Sequence, residues 1–137
     1  DLLRVLKMVL IHDLVEIYAG DTYCYDEQAL LDKDCREQQA AARLFAMLPD
    51  DQKQEFYSLW QEFEQETSPE ARFAAALDRL QPLLMHYRTQ GQCWQEHGIT
   101  SGQVRRRNGL TGEISNTLAQ VTEEIISTSV NKGYLAK

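Results

Sequence analysis

The sequence predicts one all-α domain of about five main helices. Three observations carry that reading. Glu, Gln, Ala and Leu are abundant while Val, Ile and Thr are not, a balance that favours helix over strand. Apolar residues recur at spacings of three and four along several segments. No segment shows the two-residue alternation of a strand, and no internal repeat or low-complexity linker interrupts the chain. The length of 137 residues, with 43% hydrophobic and 26% charged residues, suits one ordinary globular domain.

The elements follow in order. Residues Leu2 to Ile17 form a first helix apolar on nearly all sides, which belongs in the centre of a fold with neighbours around it. Gly20 stops it, and Asp21 and Thr22 make the turn. A second helix is expected from about Asp26 to Leu48, polar at first, with Ala40, Ala41, Leu44, Phe45 and Leu48 as its inner face. Pro49, Asp50 and Asp51 start a third, whose Phe56, Leu59, Trp60 and Phe63 keep helical spacing. Ser68 as a cap, Pro69 in the first turn and Glu70 after it begin a fourth, with Phe73, Leu77, Leu80 and Leu84 as its inward stripe and Gly91 as its close. Residues 92–112 read as irregular, with a short helix after Thr100. The last helix is expected from about Glu113 to Thr128, with Ile114, Leu118, Val121, Ile125 and Ile126 inward.

The formal net charge of −7 argues against a surface for duplex nucleic acid, which needs a basic stripe. It leaves room for a small anionic substrate, since a metal ion and a few arginines reverse the potential locally. Cys24, Cys35 and Cys93 are odd in number and form no C-x-x-C pair, so they read as reduced thiols of a cytoplasmic protein. The most apolar stretch, Val5 to Ile17, is too short to span a bilayer and carries Lys7, His12, Asp13 and Glu16, so no membrane segment is expected.

Those same residues are where chemistry is expected. His12 and Asp13 sit side by side in the most apolar helix, and Glu16 follows on the same face of an α-helix. A carboxylate among Val, Leu and Ile costs several kcal/mol unless it is paired or binds a metal. A lone core histidine is usually only hydrogen-bonded, but three such groups on one face each need a partner. Asp78 repeats the pattern beside Leu77 and Leu80, with Pro82 four residues on, where a proline removes the helical bond to the Asp78 carbonyl. Arg79 is a candidate phosphate contact. Arg105, Arg106 and Arg107 offer a further set of phosphate contacts, with a solvated basic patch as the commoner reading of such a cluster, and Trp60, Tyr87 and Trp94 read as packing residues.

The string IHDLVEIYAGD, followed by WQEFEQETSPEARFAAALDRLQPLL and HGITSGQVRRRN, resembles the HD superfamily of metal-dependent phosphohydrolases. Within it, the likeness is to the bacterial 5'-deoxynucleotidase-like branch and its HD-domain-containing relatives, and it covers most of residues 1–108. The resemblance implies an HD-type helical domain over 1–137 and one divalent metal ion, held by His12, Asp13, Asp78 and a further histidine upstream of residue 1. His86 and His97 stand in the wrong context to replace that histidine. By the same resemblance, Glu16 and Asp21 activate water and protonate the leaving group. The substrate class implied is a (deoxy)nucleoside 5'-monophosphate. Another phosphate ester, cyclic or pyrophosphorylated, and an inert helical dimer-forming module are the alternatives. The bare apolar face of the first helix points to a homodimer, or to a further segment lying over it.

Overall fold

The computed structural model describes all 137 residues. The regular elements are all helices, with one isolated parallel bridge between Thr100 and Ala136. It divides into two compact units, Asp1–Ala74 and Ala75–Lys137.

The first unit opens with α1 (Leu2–Ile11), a 3₁₀ turn (His12–Val15) and α2 (Glu16–Ala19). The single long helix expected here is therefore interrupted at His12. After a run of turns come α3 (Lys33–Phe45) and α4 (Asp50–Gln65), then the first turns of α5 (Pro69–Arg88). α3 starts later than its sequence suggests because residues 24–32 form turns, tied by the Asp26 side chain accepting from the amides of Gln28 and Ala29. An aspartate that offers its own backbone such bonds favours a turn over a helix. Ser68 does cap α5, accepting from the Ala71 amide at 3.1 Å.

α1 packs on α4, and the 3₁₀ turn packs on α3. The core of this unit is Val5, Met8, Ile11 and Val15 from the first segment, with Ala40, Ala41 and Phe45 of α3 and Leu59, Trp60 and Phe63 of α4. Ion pairs Arg4–Glu62 and Lys7–Glu55 flank the α1–α4 contact. The enclosure expected of the first helix is not what is found. Only one stripe of it is buried, and Leu2 and Leu10 are 71% and 73% exposed, with Leu3, Leu6, Leu14 and Ile17 exposed beside them. The physical reason is that α4 meets α1 along a single line.

The second unit holds the rest of α5, then α6 (Gln92–Glu96), α7 (Ser101–Arg107), α8 (Leu110–Ile114) and α9 (Asn116–Asn131). On α5 the buried positions are Ala71, Ala74, Ala75, Ala76, Leu80 and Leu83, so the inward stripe is built largely of alanine, and Leu84 is exposed. Small side chains let neighbouring backbones approach where larger ones would not fit. A capping box of Thr100 and Gln103 starts α7. Ser115 caps α9, which moves its start three residues beyond the sequence expectation and turns Thr122, Ile126 and Ser129 inward in place of Val121. Trp94 and Ile126 are fully buried.

Gly91 ends the α5 turn in the left-handed region at φ +73°, and a Cβ built there would stand 2.0 Å from the Tyr134 carbonyl oxygen. The C-terminal residues thus close over a position that admits no side chain. Gly98 has a similar φ of +63° with nothing near its Cβ. Gly91→Ala should therefore lose clearly more stability than Gly98→Ala, whose cost is backbone strain alone at about 1–2 kcal/mol. Urea unfolding of the two variants gives the comparison, and equal midpoints would place Tyr134 away from Gly91.

Candidate metal centre

The change from α-helix to 3₁₀ turn at His12 decides how the first set of candidate residues is arranged. In a 3₁₀ helix side chains three apart eclipse one another. His12 thus falls in line with Val15, which is 1% exposed. Glu16, at the start of α2, stays within coulombic reach of both Asp13 and His12.

His12 is held on three sides. Its Nδ1 lies 2.9 Å from the Val9 carbonyl oxygen, which can only accept, so Nδ1 donates a proton there. Nε2 faces the Asp13 carboxylate, with Oδ1 at 3.0 Å. The ring rests against Phe63 of α4, centroids 4.5 Å apart. The imidazole is nearly buried, 10% exposed, while the Asp13 carboxylate is 69% exposed. A backbone carbonyl behind one ring nitrogen is the usual way a metal-binding histidine has its tautomer and orientation fixed.

Glu16 is half-buried at the start of α2. Burial pushes its carboxyl up to about 7, the neighbouring charges of Asp13, Asp21 and Glu37 push in the same direction, and His12 opposes them. Asp21 is exposed and follows Gly20, whose φ of 79° turns the chain out of α2. Glu37, buried on α3, receives a hydrogen bond from Lys33 at 2.7 Å. Several carboxylates are thus gathered round one imidazole, an arrangement that attracts a cation. Nitrogen and carboxylate oxygen together suit a first-row divalent ion.

Asp78 and Arg79 lie half-buried on α5, in the second unit. Pro82, exposed on the same helix, offers no amide to the Asp78 carbonyl. His86 packs its ring against Trp94 at 5.0 Å, and burial lowers its pKa. Arg105 makes a two-pronged pair with Glu123, at 3.0 and 2.7 Å, and Arg105, Arg106 and Arg107 are all exposed. Sequence reasoning missed Arg36, Lys33 and Glu37, which surround α2 from α3. The one available signal was Asp32 four residues before Arg36, a spacing that pairs on a helix.

The raised Glu16 carboxyl gives a test on metal-free protein. Folding strengthens proton binding at Glu16, so its contribution to stability is full below pH 4.5 and is lost as the pH rises through about 7. Glu16→Gln removes that dependence. The stability of the variant relative to wild type should rise across this window in denaturant titrations, and a flat difference would mean that Glu16 is solvated like a free carboxylate.

A family model described as an HD domain matches residues 1–119. A crystal structure of a predicted metal-dependent phosphohydrolase from Magnetospirillum magnetotacticum is 46% identical, with a TM-score of 0.91, covering 100% of this chain and 68% of that one. The 5'-deoxynucleotidase HDDC2 of Danio rerio is 36% identical over 81 residues, 59% of this chain and 40% of the relative. The human protein of the same name is 35% identical over the same length, and that of Dictyostelium discoideum 29% over 92 residues. The chain thus matches about two fifths of the length of these curated relatives. The extent of the family match and the likeness to the bacterial structure, joined to an H-D pair at the end of the first helix, show that this chain belongs to the HD domain family.

Proposed function

We propose that this chain carries the hydrolytic centre of a metal-dependent phosphohydrolase acting on (deoxy)nucleoside 5'-monophosphates. The observation that carries the reading is the setting of His12: its Nδ1 donates to the Val9 carbonyl, and its Nε2 is turned toward the Asp13 carboxylate. The relatives named for 5'-deoxynucleotidase activity and for metal-dependent phosphohydrolysis support the substrate class and the cofactor.

In this reading His12, Asp13 and Asp78 would hold one divalent ion, a donor set of a type that suits such ions. When bound, the ion supplies Lewis-acid polarisation of the phosphoryl group and acidifies water. The chain's own residues supply the rest. Glu16, its carboxyl raised to about 7, takes a proton from water near neutral pH and can return it. Asp21, whose charge acts on Glu16, shares the proton traffic toward the leaving oxygen. Arg79 is assigned to the substrate phosphate, where a guanidinium fork fits two oxygens.

No helix is long and apolar enough to cross a membrane. Cytoplasmic location is part of the proposal and is supported by an odd number of cysteines with no C-x-x-C pair. A homodimer is also proposed, supported by the exposed leucines of α1. Leu6→Glu with Leu10→Glu should then shift sedimentation to the monomer, and a monomeric wild type would remove this part of the reading.

Two substitutions separate the assigned roles. Glu16→Gln should lower turnover of deoxynucleoside monophosphates by about 10²–10⁴ while bound metal is retained. Asp78→Ala should lose metal and turnover together. Metal analysis alongside a phosphate-release assay, run on monophosphates and on cyclic and pyrophosphorylated nucleotides, reads both. Full hydrolysis in either variant would remove the role assigned to that residue.

A further inference from the structure

We infer that Arg36 is a positioning residue, whose guanidinium fixes the Gly20–Asp21 turn and so sets where the Asp21 carboxylate stands. The inference rests on the role proposed for Asp21. Arg36 lies in the first turns of α3 and is half-buried. Its Nη1 donates to the Ala19 carbonyl at 2.6 Å, and its Nη2 donates to the Thr22 hydroxyl at 2.9 Å and to the Ala29 carbonyl at 3.1 Å. Ala19 and Thr22 are the residues on either side of Gly20–Asp21, so one side chain grips both ends of the turn. Ala29 extends the same grip to the far end of the segment that leads into α3.

The turn needs such a grip. Gly20 has a φ of 79° and nothing within 4 Å of where a Cβ would be, so no wall of side chains holds it in place. Hydrogen bonds must supply what packing does not, and bonds from a charged donor are the stronger kind. Asp32 accepts from Arg36 Nε at 2.9 Å, one helical turn earlier, and orients the fork. Two turns later on α3, Arg43 lies over the Tyr18 ring at 4.0 Å and holds α2 from the same helix. A lysine at position 36 keeps the charge but cannot direct donors to Ala19, Thr22, Ala29 and Asp32 together, because its single ammonium lacks the planar fork.

The test uses Arg36→Lys and Arg36→Ala, each alone and combined with Asp21→Asn. Amide hydrogen exchange across residues 20–32, Mn²⁺ affinity by calorimetry, and kcat and KM on a deoxynucleoside 5'-monophosphate are measured. Exchange in the segment should accelerate in both variants. Turnover should fall about 10- to 100-fold, the usual loss when a supporting partner is removed, with Mn²⁺ affinity and KM unchanged. In the Asp21→Asn background, the Arg36 substitutions should cost no further turnover. If Arg36→Ala does not fold, Arg36→Lys and Thr22→Val, which removes a single acceptor, make the same comparison. Unchanged exchange in residues 20–32, or a full additional loss in the Asp21→Asn background, would overturn the inference. If the wild type hydrolyses no nucleotide, the phosphohydrolase reading fails on its own, and the exchange data still decide the clamp.

Discussion

The arrangement of the site begins with one hydrogen bond, from His12 Nδ1 to the Val9 carbonyl. It exists because the helix tightens at His12, turning the ring back on the preceding turn while Val15 takes the inward place below it. Short 3₁₀ stretches within helices recur where a protein must aim side chains in directions that regular α-helix does not offer. Here the tightening sets the imidazole in line with the buried Val15 and leaves the Asp13 carboxylate exposed beside it. Phe63, from α4, presses on the ring from a second direction, so the orientation of the imidazole is set by two elements and not by its own rotamer alone.

That geometry has an electrostatic consequence. Asp13, Glu16, Asp21 and Glu37 lie near enough for the first, third and fourth to raise the pKa of Glu16, which burial has already raised. Like charges gathered in this way are unfavourable in the absence of a cation, and folded proteins accept such strain mainly at functional sites. The structure opposes the repulsion from the α3 side, through Lys33 on Glu37 and through the arginines that grip α2 and the turn after it. α3 is therefore more than a packing partner. Its buried face contributes Ala40, Ala41 and Phe45 to the core, and its first turns carry the charges that hold the acidic segment in place.

The exposed leucines of α1 belong to the same balance between folding and function. Val5, Met8 and Ile11 are enough to seat the helix on α4. Leu2, Leu3, Leu6 and Leu10 are half-exposed or more, and that exposure costs roughly 25 cal/mol per Å² of apolar surface left in water. In the second unit the economy is different: alanines on α5 and the bare Cα of Gly91 allow backbones to come close, and the C-terminal residues pack where a side chain would block them.

The sequence by itself determined the helical class, the order of the long helices, the Ser68 and Thr100 starts, and the H-D pair with its downstream glutamate. Each of these depends on residues near one another in the chain, through period, capping and turn chemistry. It did not show the break at His12, because the apolar run there reads as one uninterrupted helix and a 3₁₀ turn has no composition of its own. It placed the start of α3 too early because the Asp26 side chain, accepting from the Gln28 and Ala29 amides, holds a turn where apolar period alone does not mark the helix start. The seat of the His12 ring against Phe63, the raised carboxyl of Glu16 and the grip of Arg36 were decided by tertiary structure. A ring from α4, carboxylates from three segments and an arginine seventeen residues from Ala19 act only after the chain has brought them within contact, coulombic or hydrogen-bonding range.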